Sequence, residues 1–385
     1  MDQTVDPVEI ARSLQPLVRQ HADESEAQRH LASPIAEAFA ASGLYRIAAP
    51  PEAFGTAHPP LTQVETIEQI SQADGSAGWN LMIGIETFGL VSTGFGPNMH
   101  LIEDPQVVVA SSTAAVGKAE KVTGGYRVSG RWQFASGCHN ASIFGATVRV
   151  WEDGVCRDDL GNRYAIITEG DWEILDTWYT GGLCGSGSHD VVVDDVFIPA
   201  ERLIVPIGAA DIDSPLLRFP IGARLAYNKI GVSWGLAQAA IDAFEELAQG
   251  KTPRFSSRSL QERPRAHRAI AEATARFRSG RALVIELLDE MWQKVQARDH
   301  ITSRERALFQ LACSDSARGC KEAVDHLCDA AGTTANVRGH PLERIARDVR
   351  VVTQHVTVAP HNIEDAGRIL LGLQAKEAML AGFNP

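Results

Sequence analysis

The sequence predicts a mainly α-helical protein with a central β-domain. The expected order is an N-terminal helical domain over residues 1–105, a middle antiparallel β-barrel or sandwich over 106–210, and a C-terminal four-helix bundle over 211–385. Three observations predict it. Apolar residues recur at helical spacing in both flanks. The stretch between them instead carries short β-branched runs bounded by Gly and Asp. The chain has 385 residues and is 44% apolar, enough for several layers around a large core.

Each element follows from its own pattern. From Pro7 to Ala41, positions such as Ile10, Leu14, Leu17 and Val18 keep helical spacing, until Gly43 and the Pro-rich 49–60 stretch break it. A second helix runs from Pro60 through Val64, Ile67 and Ile70. Ala77 to Phe88 is apolar nearly all round, as a buried helix is. Past Pro105 the period changes. Gln106–Thr113 reads as a strand, and Lys121 to Gly130 as two strands around a Gly-Gly turn. Strands at 142–151, 163–168, 172–177 and 190–198 complete the series, and Pro199 and Pro206 close it. Four long helices are expected over Arg224–Gln249, Ala266–Arg298, Ser303–Gly332 and Leu342–Leu373, joined by short loops as in a bundle.

Composition narrows the function. A formal charge of −12 disfavours nucleic acid or an anionic membrane as main partner. No apolar run reaches the ~18 residues of a membrane span, and the acidic start lacks the basic and apolar regions of a signal peptide, so a cytoplasmic location is expected. The six cysteines form no CxxC pair and read as free thiols. HExxH, GxxxxGK[ST] and GxSxG are absent, and no metal site is expected.

Three runs carry chemistry. Gly130-Arg-Trp132-Gln-Phe134-Ala135-Ser136-Gly137 ends a strand. Strand alternation would place Trp132, Phe134 and Ser136 on one face, beside a Ser-Gly pair that lets a backbone approach a flat ligand. Alone, the run reads first as a hairpin strand with two core aromatics, and only second as a ligand wall. The second run, Asp176-Thr-Trp178-Tyr-Thr-Gly-Gly182-Leu-Cys-Gly185-Ser186-Gly187-Ser188, reads either as a long hairpin loop or as a phosphate-binding loop with Trp178 against a ring. In the third, Arg344, Arg347 and Asp348 open a helix, and His355 lies seven residues beyond Asp348, on nearly the same helical face. Its other reading is a solvated Arg face and a satisfied histidine.

Together and in this order, the runs resemble the acyl-CoA dehydrogenase superfamily, and within it the flavin-dependent monooxygenase branch, the oxygenase components of two-component aromatic hydroxylases. A GxWxFxSG strand is matched by Gly130, Trp132, Phe134, Ser136 and Gly137. A DTW…GxxGTGS loop is matched by Asp176, Thr177, Trp178, Gly182, Gly185, Gly187 and Ser188, with Ser186 in place of Thr. An RD…H helix is matched by Arg347, Asp348 and His355. The β-domain exit Val193–Pro199 fits as well, and the resemblance begins at Asp74-Gly-Ser-Ala-Gly-Trp79. The dehydrogenases need a carboxylate base to remove an α-proton. The two places where the family carries it fall near Val356 and Leu225, and neither is acidic.

The resemblance implies an acyl-CoA dehydrogenase-like fold, usually a homotetramer, with flavin between β-domain and bundle and contacts from a neighbouring subunit. It implies a monooxygenase that uses reduced FMN or FAD from a separate flavin reductase. One oxygen atom of O2 would pass to a small aromatic or phenolic substrate through a flavin C4a-hydroperoxide. Ser136 would bond near the flavin N5, and His355 would polarise the peroxide or accept a phenolic proton. His139 is a further substrate-side candidate. Trp132, Phe134 and Trp178 would wall the ring. Ser111, Ser112, Thr113, Ala135, Gly137, Ser186, Ser188 and Arg347 complete the cofactor set. Two alternatives stand beside this: an FAD-dependent acyl-CoA dehydrogenase or oxidase with an atypical base, and a non-enzymatic flavin-binding protein on the same scaffold.

Overall fold

The computed structural model describes residues 6–205, 212–376 and 378–381. The N-terminal flank forms α1 (Pro7–Gln20), α2 (Ala22–Gln28), α3 (Ser33–Ser42), α4 (Pro60–Ala73) and α5 (Gly75–Val91). The stretch expected as one helix from Pro7 to Ala41 is three. The chain turns at His21, and again past Arg29, which caps α2 in the left-handed conformation. Asp74 caps α5, its carboxylate accepting the Ala77 N–H at 2.8 Å. With 16 buried residues, α5 is the central helix of this half.

The middle of the chain is a single sheet of β1 (Val109–Val122), β2 (Gly125–Trp132), β3 (Ile143–Glu152), β4 (Val155–Cys156), β5 (Arg163–Thr168), β6 (Glu173–Leu175), β7 (Asp190–Pro199) and β8 (Leu203–Ile204). The strand order is β6-β7-β2-β1-β3-β5-β8, with β4 paired to β3. An all-antiparallel sheet was expected; this one is mixed, because β1 and β3 run parallel. The crossover linking them passes through the Phe134–Asn140 segment, so the parallel pair is what places that segment at the end of the sheet. The β1–β3 register slips between Ser112 and Gly117, lifting 113–116 out of the regular ladder.

The C-terminal flank holds α6 (Pro215–Arg218), α7 (Ile221–Gly250), α8 (Pro264–Ala297), α9 (Ser303–Ala331), α10 (Pro341–Val352), α11 (His361–Leu370) and α12 (Ala378–Ala381). A capping box at Thr302 and Glu305 starts α9. The last long helix expected, Leu342–Leu373, is broken: α10 stops at Val352 and α11 begins at His361. His355 therefore lies in the turn between them, not on the helical face shared with Asp348. One apolar cluster runs from α1 through α4, α5 and α7 to α9 and α10, and the β-domain has its own core around Val128, Trp132 and Phe144. Among the described residues no helix is long and apolar enough to cross a membrane.

Candidate functional site

The site lies where α5, the Phe134–Gly137 segment and the α10–α11 turn meet. β2 ends at Trp132, so strand alternation stops there. Trp132 is 0% exposed, its indole N–H bonded to the Thr147 carbonyl at 2.9 Å. Gly130 supplies room for that ring, since a Cβ there would stand 2.7 Å from it. Trp132 is thus a core residue of the β-domain, which corrects its expected place on a ligand wall. Phe134 takes a left-handed backbone, φ +58°, and turns its ring outward to 69% exposure. A bulky side chain in that conformation is strained, and the surroundings must hold it there. Its ring meets Trp178 edge-on at 6.1 Å. Phe134 and Trp178 therefore form the exposed aromatic ledge.

Ser136 and His355 are brought together by a residue the sequence reading did not place in the site, Trp79 of α5. Its indole N–H donates to Ser136 Oγ at 3.1 Å, and its ring packs edge-on against His355 at 5.3 Å. Ser136 Oγ also lies 2.6 Å from Ser188 Oγ, which lies 2.8 Å from Ser186 Oγ. All three serines are buried. Burial, helped by the Lys229 ammonium, holds the His355 imidazole down to about 3. Lys229 itself is buried in a pair with Glu86, 2.6 Å away. The signals for Trp79 were present, in a buried apolar helix and in the Asp74–Trp79 run, but only the fold shows that the start of α5 lies against Ser136.

The second run is fastened at every turn. The Asp176 carboxylate accepts from Arg29 at 2.9 Å and from Tyr179 Oη at 2.6 Å, and these bonds, Arg29 first, pull it down to about 2. His189 Nδ1 lies 3.2 Å from Thr177 N and 3.3 Å from Trp178 N. The Trp178 indole donates to the Leu183 carbonyl at 3.0 Å. Leu183 N–H donates to Asp348 Oδ1 at 2.7 Å and Gly185 N–H to Ser76 Oγ at 3.1 Å. Gly182 sits so close to α10 that a Cβ would stand 2.4 Å from the Arg347 carbonyl. These two amides are spent on the protein, so the expected phosphate-binding role fits them poorly.

The remaining predicted residues divide. The Arg347 guanidinium is engaged by Glu343 and Glu26, each at 2.8 Å, and by the Gly181 carbonyl at 3.0 Å, so it braces the loop. Ala135 and Gly137 spend their amides on His189 O and Ser186 O. Ser112 is buried with its hydroxyl toward the Gln133 carbonyl, Ser111 lies 3.4 Å from Thr87 Oγ1, and Thr113 is exposed. His139 stacks on His30 at 4.4 Å and meets His189 at 4.9 Å. Burial and those two rings bring it down to about 4. That places it in a histidine cluster facing α2, with no contact to Trp79 or His355. Among the described residues no group of His, Cys, Asp or Glu is arranged to hold a metal.

The surroundings fit a flat, hydrogen-bonding cofactor. An aromatic ledge is exposed, Ser136 lies behind it, and the buried Asn80 Nδ2 has no partner and stands 3.4 Å from where a Cβ on Gly137 would be. The two positions near which the resemblance would put a dehydrogenase base are Val356, 57% exposed, and Leu225, packed among Phe88 and Leu90.

Comparison with known proteins agrees. The family model for the acyl-CoA dehydrogenase C-terminal domain matches residues 231–360. Indole-3-acetate monooxygenase of Pseudomonas putida is 32% identical, covering 91% of this chain and 90% of its own. The oxygenase subunit HsaA, a flavin-dependent monooxygenase of Rhodococcus jostii, is 29% identical over 90% of this chain and 93% of its own. The crystal structure of 3-HSA hydroxylase from Rhodococcus sp. RHA1 superposes with a TM-score of 0.87 at 26% identity, covering 98% of this chain and 99% of that one. With a relative 32% identical over nine-tenths of both chains, this chain belongs to the flavin-dependent monooxygenases of the acyl-CoA dehydrogenase superfamily.

Proposed function

We propose that the protein is the oxygenase component of a two-component system. It takes reduced FMN or FAD from a separate reductase and places one atom of O2 on a small aromatic, phenolic or indolic substrate. The observation that carries this is the Trp79 junction, which joins Ser136 and His355 behind the Phe134–Trp178 ledge, with no carboxylate at either dehydrogenase position. Bound reduced flavin supplies the electrons that activate O2.

The chain's own residues do the rest. Phe134 and Trp178 would hold the ring, and Ser136 would bond its polar edge. Trp79, itself buried, would keep water from the side of the reacting face that it covers. Asp176, His189, Asp348 and Arg347 fix the loop that carries Trp178. The ledge is open in one protomer, and we read the assembly as a homotetramer in which a neighbouring copy covers it.

Anaerobic titration tests this reading. Reduced FMN or FAD should bind, and an added acyl-CoA should not reduce bound oxidised flavin. Bleaching of the flavin by an acyl-CoA would favour the dehydrogenase alternative. Flavin binding with no turnover of any aromatic, unchanged in Ser136→Ala and His355→Ala, would favour the non-enzymatic one.

A further inference from the structure

An imidazole beside a bound aromatic can take a proton or give a hydrogen bond, and the turn around His355 admits one of the two. His355 Nδ1 receives the Thr357 backbone N–H at 3.4 Å and lies 2.9 Å from Thr357 Oγ1. A backbone N–H only donates. Nδ1 therefore carries the lone pair, and the ring proton sits on Nε2. Among the described residues Nε2 has no hydrogen-bond partner of its own.

Thr357 is held in place from α9. Gln310, buried, donates to the Thr357 carbonyl at 2.7 Å. Asn362 of α11 closes the same turn through the Val356 carbonyl at 2.8 Å. The charged group facing His355 from α7 is the Lys229 ammonium, whose partner Glu86 lies on α5, and it opposes a second proton on the ring. Trp79 covers one side of the ring.

Proton counting gives Ser136 the same character. Three hydroxyls, Ser136, Ser188 and Ser186, form a chain with two links. Each has one proton, so one proton is left over. Ser186 and Ser188 are both buried, and neither hydroxyl meets an acceptor outside this hydroxyl chain among the described residues, so the surplus proton has no outlet at either. It leaves at Ser136, the end that adjoins the ledge. The Trp79 N–H and the Ser188 hydroxyl then fill both Ser136 lone pairs, and Ser136 has only a proton to offer.

We propose that His355 Nε2–H and Ser136 Oγ–H face the reacting site as two neutral hydrogen-bond donors flanking Trp79. The site then stabilises negative charge developing on an oxygen atom, and His355 does not act as a base. Thr357 is the positioning residue that fixes the His355 tautomer. Paired, preorganised donors in a dry site are the usual device for this task. The identity of the oxygen rests on the oxygenase reading; the tautomer does not.

The test is imidazole nitrogen NMR of the full chain labelled with nitrogen-15 histidine, with His355→Gln to assign the signal. His355 should show an unprotonated Nδ1 and a protonated Nε2, unchanged from about pH 5 to about pH 8. Thr357→Ser and Thr357→Val both keep the backbone N–H and should keep that pattern, whereas Thr357→Pro removes it and should let the other tautomer appear. A proton on Nδ1, titration near the ordinary histidine value, or an unaltered pattern in Thr357→Pro would overturn the proposal. Turnover of indole-3-acetate or phenol gives a second readout. Gln can still offer an N–H, so His355→Gln should retain activity within about ten-fold, whereas His355→Ala should lose about a hundred-fold or more. Equal loss in both would mark His355 as a base. If no aromatic is turned over, the oxygenase reading fails, and the NMR result still decides the tautomer.

Discussion

Ser136 stands between the Trp79 indole on one side and the Ser188 hydroxyl on the other, with the ledge in front. Ser136→Ala should lower hydroxylated product by about a hundred-fold, with a compensating rise in hydrogen peroxide, as measured by product formed per reduced flavin consumed. The two aromatics of the same run should behave in opposite ways. Trp132→Ala empties a core position and should cost about 3–5 kcal/mol of stability, read as a lower denaturation midpoint. Phe134→Ala removes an exposed ring and should weaken flavin binding while leaving that midpoint nearly unchanged. Period-two alternation put both on one face. It could not see that the strand ends at Trp132 and that Phe134 takes a left-handed turn, a choice made by tertiary packing rather than by local preference.

Asp348 belongs to this scale too. Burial and the nearby Asp74 push its carboxyl up to about 8, against about 3.9 in an unfolded chain. The folded protein holds this proton where the unfolded one releases it, so stability falls as pH rises from about 4 to about 8. Asp348→Asn keeps an oxygen for the Leu183 N–H and removes the titration. Its melting temperature should fall less steeply over that range than that of the natural chain, and an equal slope would show that Asp348 is already ionised.

At the scale of elements, the α10–α11 break is what makes the site. An unbroken helix would carry His355 away from Thr357 and out of the turn that fixes its ring. The sequence held the signal: Val351, Val352, Thr353, Val356, Thr357 and Val358 are β-branched and poor in a helix, and Pro360 follows. Helical periodicity alone passed over it, because apolar spacing resumes in α11. Gln310→Ala should leave the buried Thr357 carbonyl without its donor and cost about 1–3 kcal/mol, with a fall in turnover that Gln310→Glu does not repair at neutral pH, since a carboxylate cannot donate. The sheet shows the opposite case. β3, β5 and β7 fall close to their expected ranges because their β-branched runs and turn residues are local signals. The parallel β1–β3 pairing is a long-range property that no local pattern encodes.

At the scale of the molecule, the site is an agreement among three parts. The α5 helix brings Trp79, the sheet end brings Phe134 and Ser136, and the end of the bundle brings His355. The Trp178 loop is tied to α2 through Arg29 and to α10 through Asp348, while Arg344 of α10 pairs with Glu26 of α2 at 2.7 Å. The order helices, sheet, bundle was legible from changes of hydrophobic period. Ser136 and His355 were legible only through the combined motifs, and Trp79 and Thr357 became visible only in the fold, since their roles depend on partners 57 and 2 residues away in different structural settings. The central claim is that this scaffold uses reduced flavin to place one atom of O2 on an aromatic ring. The most direct measurement mixes the protein, anaerobically reduced FMN or FAD and indole-3-acetate or a phenol with oxygen-18 gas, followed by mass spectrometry of the product. One labelled oxygen atom per product molecule is the predicted result. Oxidation of the flavin to hydrogen peroxide alone with each aromatic, or product oxygen drawn from water, would contradict it.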